Sequence, residues 1–202
     1  MGDARSLAAE EPTGFVARVC DDDGRWNPLP GLRTSFPVDY IGYGSTLFFG
    51  DFPATLGVPC ATAREPVGCL ARFHAARKAT RTASRCTASG CNPTLVSTRG
   101  DEVLAANSLA VLLPLILPID TEDEAVLVAE FAGFNVACAM PHQGGVRPRA
   151  GGFEVRVSRT RYDCERDHLV LAIDEEGHVR EVASAIPPHN PHCLLQPLGL
   201  AR

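Results

Sequence analysis

The fold is decided by the stretch IDTEDEAVLVAEFAG, residues 119–133. The Thr121 hydroxyl can accept a hydrogen bond from the backbone N–H of Glu124, whose carboxylate can in turn accept one from the Thr121 N–H, and this reciprocal pair is a capping box. Acidic residues in the first turn suit the positive end of the helix dipole. Apolar residues then recur at helical spacing as far as Gly133, a favourable C-terminal stop. The sequence therefore predicts a helix that begins after Thr121 and ends before Gly133.

Downstream of this helix the hydrophobic period changes to that of β-strands. Residues 153–157 alternate between apolar and polar, as in a half-buried strand. Residues 168–173 instead have apolar residues at both odd and even positions, and so on both faces, as in a central strand. A turn at 174–177 and a last strand over 179–183 complete the pattern. We therefore expect an α+β fold in which a helix packs on an antiparallel sheet, with an α-β-β-β module over 119–183.

The module resembles a PepSY-like or cystatin-like domain over about a third of the chain. The resemblance rests on the capped helix that begins I-D-T-x-x-E-A at 119–125, on the strand FEVRV at 153–157 and on the final hairpin D-x-x-G-x-V at 174–179. It implies a protein that binds or restrains proteases or other partners in the cell envelope, which is binding and not catalysis.

The chain departs from the PepSY pattern at Cys138, at Cys164 and in the long arginine-bearing loop at 141–152. The arrangement of 98–103 before 118–121 is similar to uncharacterised bacterial secreted proteins. That second resemblance implies an extracytoplasmic location and carries no known activity.

The N-terminal half is expected to be irregular and cysteine-bearing, with a hairpin and a short helix. Aromatic residues concentrate in 36–52, which predicts two extended segments around a glycine-rich turn at Gly42 and Gly44. Burial of these rings in the core is favoured over an exposed platform for sugar or peptide, because large exposed apolar patches are rare. The pattern at 65–79 predicts the helix.

Two further segments complete the N-terminal half. Residues 94–98 predict a strand that ends in a turn at 99–101, and 104–117 predicts an apolar helix or buried segment. Between Arg64 and Arg85 six basic residues oppose Glu65 alone. A solvated helix face is favoured there over an anionic partner.

The domain organisation follows from these elements. We expect an irregular lead-in at 1–31, a single α+β domain at 32–186 and a proline-rich tail at 187–202. The longest apolar stretch, 109–119, is interrupted by prolines and is too short for a membrane span.

Eight cysteines are dispersed along the chain without a CxxC pair: Cys20, Cys60, Cys69, Cys86, Cys91, Cys138, Cys164 and Cys193. An even, dispersed set favours disulfides over buried thiols or zinc and is typical of oxidising compartments. We expect Cys86 to pair with Cys91 or one of them with Cys69, and Cys164 to pair with Cys193 or Cys138. The protein is therefore expected to be secreted or periplasmic, its signal peptide having been removed.

The composition and the motifs exclude some classes of function. With 45% apolar and 21% charged residues the chain is globular, and a net charge of −5 argues against nucleic acid as a partner. No H-E-x-x-H, P-loop or G-x-G-x-x-G motif occurs, and no cofactor is expected. His189, His192 and Cys193 are the best metal-ligating candidates, but a plain tail with Cys193 in a disulfide is favoured.

The resulting hypothesis is a monomeric, non-catalytic binding protein of the cell envelope or exterior, with an unknown protein or peptide partner. The central strand at 168–173 needs a cover on its second face, either from 36–52 or from a partner. Arg147 and Arg149, in the loop at 141–152, would lie at the rim of that partner surface. The alternative is a hydrolase with a Cys/His or Ser/His pair that the sequence does not display.

Overall fold

The computed structural model describes residues 14–20, 26–45, 52–83, 86–87, 90–91, 93–138, 141–162 and 165–185. The elements in chain order are a 3-10 turn (Leu29–Gly31), β1 (Tyr40–Ser45), β2 (Ala54–Gly57), α1 (Pro66–Ala83), β3 (Cys86–Thr87), β4 (Gly90–Cys91), β5 (Pro93–Arg99), β6 (Glu102–Ala106), α2 (Leu109–Ile116), α3 (Glu122–Phe131), α4 (Pro141–Gly144), β7 (Val146–Arg149), β8 (Gly152–Tyr162), β9 (Glu165–Asp174) and β10 (Val179–Ala185).

Most strands belong to two antiparallel four-stranded sheets. The first sheet has the order β2-β1-β5-β6 and the second has the order β10-β9-β8-β7, while β3 and β4 form a separate two-residue hairpin. Helices α1, α2 and α3 are the only ones of eight residues or more in the described ranges. The expected α+β class is therefore confirmed, with strand as the larger share.

The expected helix and three strands of the C-terminal module are all present. The Thr121 hydroxyl accepts a hydrogen bond from the Glu124 N–H at 3.2 Å, and Glu124 accepts one from the Thr121 N–H at 3.0 Å, so the capping box is complete. The loop expected at 141–152 is wrong in part, because it contains α4 and β7. Pro148 lacks a backbone N–H, and an edge strand tolerates that loss.

The hairpin predicted within 36–52 is wrong in its placement, because the described residues of that segment form β1 alone, which pairs with β2 at 54–57. Gly42 and Gly44 lie inside β1, which pairs with β2 and β5. A Cβ on Gly42 would lie 2.7 Å from Phe52 Cδ2, and one on Gly44 would lie 2.9 Å from Pro53 Cδ. These glycines therefore leave room for a chain that packs closely over the strand, a use of strand glycine that the turn prediction missed.

The remaining predictions for the N-terminal half are confirmed in part. The helix expected at 65–79 is α1, and the strand expected at 94–98 is β5, followed by a turn in which Gly100 has φ 54°. The segment 104–117 is not one helix, because its first residues pair with β5 as strand β6 before α2 begins. Cross-strand pairing outweighs the local apolar pattern there.

One hydrophobic core includes residues from both halves of the chain. Ile41 and Leu95 of the first sheet, Leu115 of α2, and Leu171 of the second sheet all belong to it and are at most 2% exposed. Leu29, within the expected lead-in, is 3% exposed in the same cluster. The division into 1–31, 32–186 and 187–202 stays a prediction, and the tail lies outside the described residues.

Two disulfides are present, Cys20–Cys138 and Cys60–Cys69. Because Cys69 and Cys138 are already paired, the alternatives that joined Cys69 to the 86–91 turn and Cys138 to Cys164 are wrong. The β3–β4 register places Cys86 opposite Cys91. The side chains of Cys86, Cys91, Cys164 and Cys193 lie outside the described residues.

None of the helices in the described ranges combines the length and the apolar character needed to cross a membrane.

Candidate protein-binding face

The second sheet has a core face and an outward face. Val155 and Val157 of β8 and Leu171 of β9 are at most 1% exposed and point into the core. Strand alternation places their neighbours Arg156 and Val170 on the opposite face, where the two residues are paired across the strands and are half-buried.

The outward face carries four arginines from three strands. The alternation assigns Arg147 and Arg149 of β7, Arg156 of β8 and Arg180 of β10 to this side. We call this surface the arginine face. Arg149 and Arg180 are exposed, whereas Arg147 and Arg156 are half-buried.

Arg156 is a partly buried cation that has no carboxylate partner among the described residues. Its Nε is buried and makes no hydrogen bond within them, and its backbone N–H donates to Gly145 O at 2.8 Å. Burial lowers the pKa of the guanidinium, and the neighbouring charge of Arg147 lowers it further. Desolvation without a counter-charge is unfavourable, and it leaves Arg156 able to gain from an anion.

Arg147 lies beside Arg156 but has an acidic partner. Its Nε and Nη2 donate to Oε2 of Glu154 at 2.9 and 2.6 Å. The guanidinium carbons of Arg147 and Arg156 each lie 4.4 Å from the centroid of the Phe15 ring. These are cation–π contacts, and they hold both side chains in defined positions.

The segment that carries Phe15 is attached to the edge of the second sheet. Val16 and Val146, the first residue of β7, exchange backbone hydrogen bonds of 2.9 and 3.0 Å in an isolated bridge. Phe15 therefore contacts the arginine face near β7. Of the described part of the aromatic segment 36–52, Ile41 packs on the core side of the second sheet, in the cluster that contains Leu171.

The arginine face is suited to a carboxylate. A guanidinium presents a planar fork of N–H donors that matches a carboxylate in a bidentate geometry. Two acidic residues also fall on this face by alternation, but Glu154 is bound to Arg147, and Asp174 accepts from the N–H and Nδ1 of His178 at 2.8 and 3.0 Å. The charge available to a partner is therefore positive.

Sequence reasoning named Arg147 and Arg149 and missed Arg156, Arg180 and Phe15. The structure places both named arginines in β7 rather than in a loop, and it gives Arg147 a salt bridge. The alternation at 153–157 could have assigned Arg156 to the outward face. No local signal could have placed Phe15 there, because the contact joins residues far apart in the chain.

A second cluster of charged groups lies where β1 meets α3. The guanidinium of Arg18 contacts Asp123, lies 3.8 Å from Glu122 and stacks 4.7 Å over Trp26. Burial raises the pKa of Glu130 to about 7, although a hydrogen bond from Tyr43 and the charge of Arg18 oppose the shift. This cluster connects the N-terminal segment and β1 to α3.

The other sequence candidates give no assembled site within the described residues. His189, His192 and Cys193 lie outside those residues. Asp174, Glu176 and His178 bring three potential ligand atoms within 4.8 Å of one another, but the hydrogen bonds of His178 to Asp174 are those of a closed turn. Every cysteine side chain that the structure describes is in a disulfide and is not a thiolate nucleophile in that state.

No known protein family, curated protein or solved structure matches this chain. The likeness to PepSY-like and cystatin-like domains stays a prediction.

Proposed function

We propose that the chain is a non-catalytic binding protein of the cell envelope or exterior, and that its arginine face holds an acidic segment of a protein partner. The observation that carries the proposal is the environment of Arg156. This guanidinium is half-buried, its Nε makes no hydrogen bond within the described residues, and burial and Arg147 lower its pKa.

The arrangement around Arg156 favours a partner carboxylate over other groups. A bound carboxylate would supply the counter-charge that Arg156 lacks among the described residues, in a partly desolvated place where ion pairs are stronger than in water. Arg149 and Arg180 are exposed on the same face and add attraction at its margins. The half-buried Val170 offers apolar contact across the strands from Arg156.

The two disulfides support the proposed location. Disulfides persist mainly in oxidising compartments and are rare in the cytosol. Cys20–Cys138 closes a separation of 118 residues and ties the segment that carries Phe15 to the rest of the molecule. A binding face that depends on this segment would then be maintained where the bridge is oxidised.

The proposal is tested with a fluorescein-labelled peptide of alternating glutamate and valine, and with a second peptide in which lysine replaces each glutamate. Fluorescence polarisation should show saturable binding of the acidic peptide alone. We expect Arg156→Gln to weaken that binding at least tenfold, since a hydrogen bond to a charged group contributes about 1.5–3 kcal/mol. Equal affinity for both peptides, or no binding of either, would overturn the proposal.

Arg33→Gln is the matched control variant. Arg33 is an exposed arginine that forms a 3.0 Å surface ion pair with Asp120. Such pairs contribute little to stability. This variant should bind the acidic peptide with unchanged affinity, and an equal loss in both variants would show that general charge attraction, and not the Arg156 environment, holds the peptide.

A further inference from the structure

Helix α1 is strongly basic within an acidic protein. Its 18 residues, PVGCLARFHAARKATRTA, include four arginine or lysine residues and one histidine but no aspartate or glutamate. The whole chain has a net charge of −5. Positive charge is therefore concentrated on one helix, which gives the molecule a strong charge asymmetry.

Most of the circumference of α1 is exposed. Cys69, Phe73 and Thr80 are its buried residues among the described side chains, and their spacing marks one narrow stripe against the first sheet. His74 and Lys78 are exposed on the helix. A helix held along one stripe presents a convex surface and not a groove.

Apolar side chains are exposed close to the same helix. Four of the seven large hydrophobic residues that are exposed in the described ranges lie within four residues of Cys60 or Cys69, which a disulfide joins. They are Leu56 at 59%, Val58 at 64%, Val67 at 84% and Leu70 at 38% exposed. The disulfide thus gathers exposed apolar residues at the N-terminal end of the basic helix.

We propose that the outer side of α1, together with Leu56, Val58, Val67 and Leu70, docks the protein on an anionic phospholipid surface. Interfacial binding combines apolar contact at the headgroup boundary with attraction between basic residues and anionic lipids. The convex helix, held along one stripe only, fits an extended surface such as the headgroup boundary of a bilayer. The net negative remainder of the molecule would orient α1 toward the membrane.

The docking surface is independent of the arginine face. It could hold the protein at a membrane whether or not the arginine face binds an acidic partner. The two proposals therefore fail separately, and variants on one surface serve as controls for the other.

The experiment is cosedimentation with vesicles of phosphatidylcholine that contain about one third phosphatidylglycerol, beside vesicles of pure phosphatidylcholine. We expect binding to the anionic vesicles alone at low salt, and its loss at high salt. Arg64 is exposed two residues before α1, at the helix end where the exposed apolar residues lie, and Lys78 is exposed on α1. Arg64→Gln with Lys78→Gln removes both charges and should lower the partition coefficient about 30-fold, at about 1 kcal/mol for each charge. Val67→Ser with Leu70→Ser should also lower it.

Arg149→Gln with Arg180→Gln removes two exposed charges from the arginine face and should leave vesicle binding unchanged. Circular dichroism confirms that each variant is folded. Three results would overturn the proposal: an equal loss of vesicle binding in this double variant and in Arg64→Gln with Lys78→Gln, equal binding of the wild type to both kinds of vesicle, or no binding to either. Soluble polyglutamate that binds the wild type but not Arg64→Gln with Lys78→Gln, without any vesicle binding, would assign the surface to an acidic polypeptide instead.

Discussion

The hydroxyl of Tyr43 donates a 2.5 Å hydrogen bond to Oε2 of Glu130. This bond joins β1 of the first sheet to the last turn of α3, whose other end carries the capping box. The ring of Trp26 lies edge-on to Tyr43 at 6.0 Å and stacks under Arg18, so the contact extends to the N-terminal segment. A polar contact at this junction makes stability depend on the protonation of Glu130.

Stability should fall as the pH rises from about 4.5 to about 7. The pKa of Glu130 in the folded protein is about 7, raised by burial from its usual 4.5, so the folded state binds more protons in this window than the unfolded state. The loss amounts to on the order of 2–3 kcal/mol. Burial also raises the pKa of Glu124, which acts in the same direction. Urea unfolding at a series of pH values measures the slope.

Glu130→Gln separates this effect from the rest of the titration. An amide oxygen can still accept the Tyr43 hydrogen bond but does not ionise. The variant should therefore show a flatter profile, while Glu181→Gln, at an exposed position of β10, should keep the wild-type slope. Asp39 and Asp174 have lowered pKa values and contribute only in more acidic solution. A wild-type slope in Glu130→Gln would contradict the assignment.

Glu124 should be among the most sensitive polar residues. It is fully buried, and its carboxylate accepts backbone hydrogen bonds from Arg33 at 2.7 Å, Asp120 at 2.9 Å and Thr121 at 3.0 Å. Glu124→Ala leaves these N–H groups without their acceptor, and we expect a loss of about 3 kcal/mol or more. Thr121→Ala should cost about 1 kcal/mol. Chemical denaturation measures the loss of unfolding free energy in each variant. Equal small losses would refute the prediction that Glu124→Ala is the more destabilising.

The two disulfides should stabilise the protein unequally. In the loop-entropy treatment, a closure of 118 residues contributes about 5 kcal/mol and one of 9 residues about 3 kcal/mol. Paired serine variants at Cys20 and Cys138, and at Cys60 and Cys69, measure this difference by denaturation. Alkylation of the unreduced, denatured wild type should leave these four cysteines unmodified, and a larger loss for the shorter loop would contradict the prediction.

Arg147→Glu and Arg149→Glu should differ in their effect on stability. Arg149 is exposed, and its substitution should change the free energy of unfolding by no more than about 0.5 kcal/mol. Arg147→Glu places a like charge beside Glu154 and removes a cation from Phe15, so we expect a loss of more than 1 kcal/mol. Thermal unfolding compares the two variants. Similar melting temperatures would show that the Glu154 contact contributes nothing.

Local patterns predicted the C-terminal module well. The capping box needs only Thr121 and Glu124, and the alternation at 153–157 is a property of one strand. Both signals depend only on residues close together in the sequence, so they can be recognised before the fold is known.

The candidate site depended on contacts that no local pattern contains. Phe15 reaches Arg147 and Arg156 because a two-residue bridge sets Val16 beside Val146. Gly42 was misread as a turn residue because the packing of Phe52 over β1 could not be seen in composition. Contacts between segments distant in the sequence, and not local secondary-structure propensity, determine the roles of Phe15 and Gly42.

The most direct test of the binding account is the side-chain Nε–Hε resonance of Arg156. A nitrogen-15 correlation spectrum, recorded while the acidic glutamate–valine peptide is added, reports on this group without a mutation. If Arg156 binds the glutamate carboxylates, its signal should shift saturably and by more than that of Arg33, and the lysine peptide should cause no such shift. An Arg156 resonance that does not move while the acidic peptide binds would contradict the account.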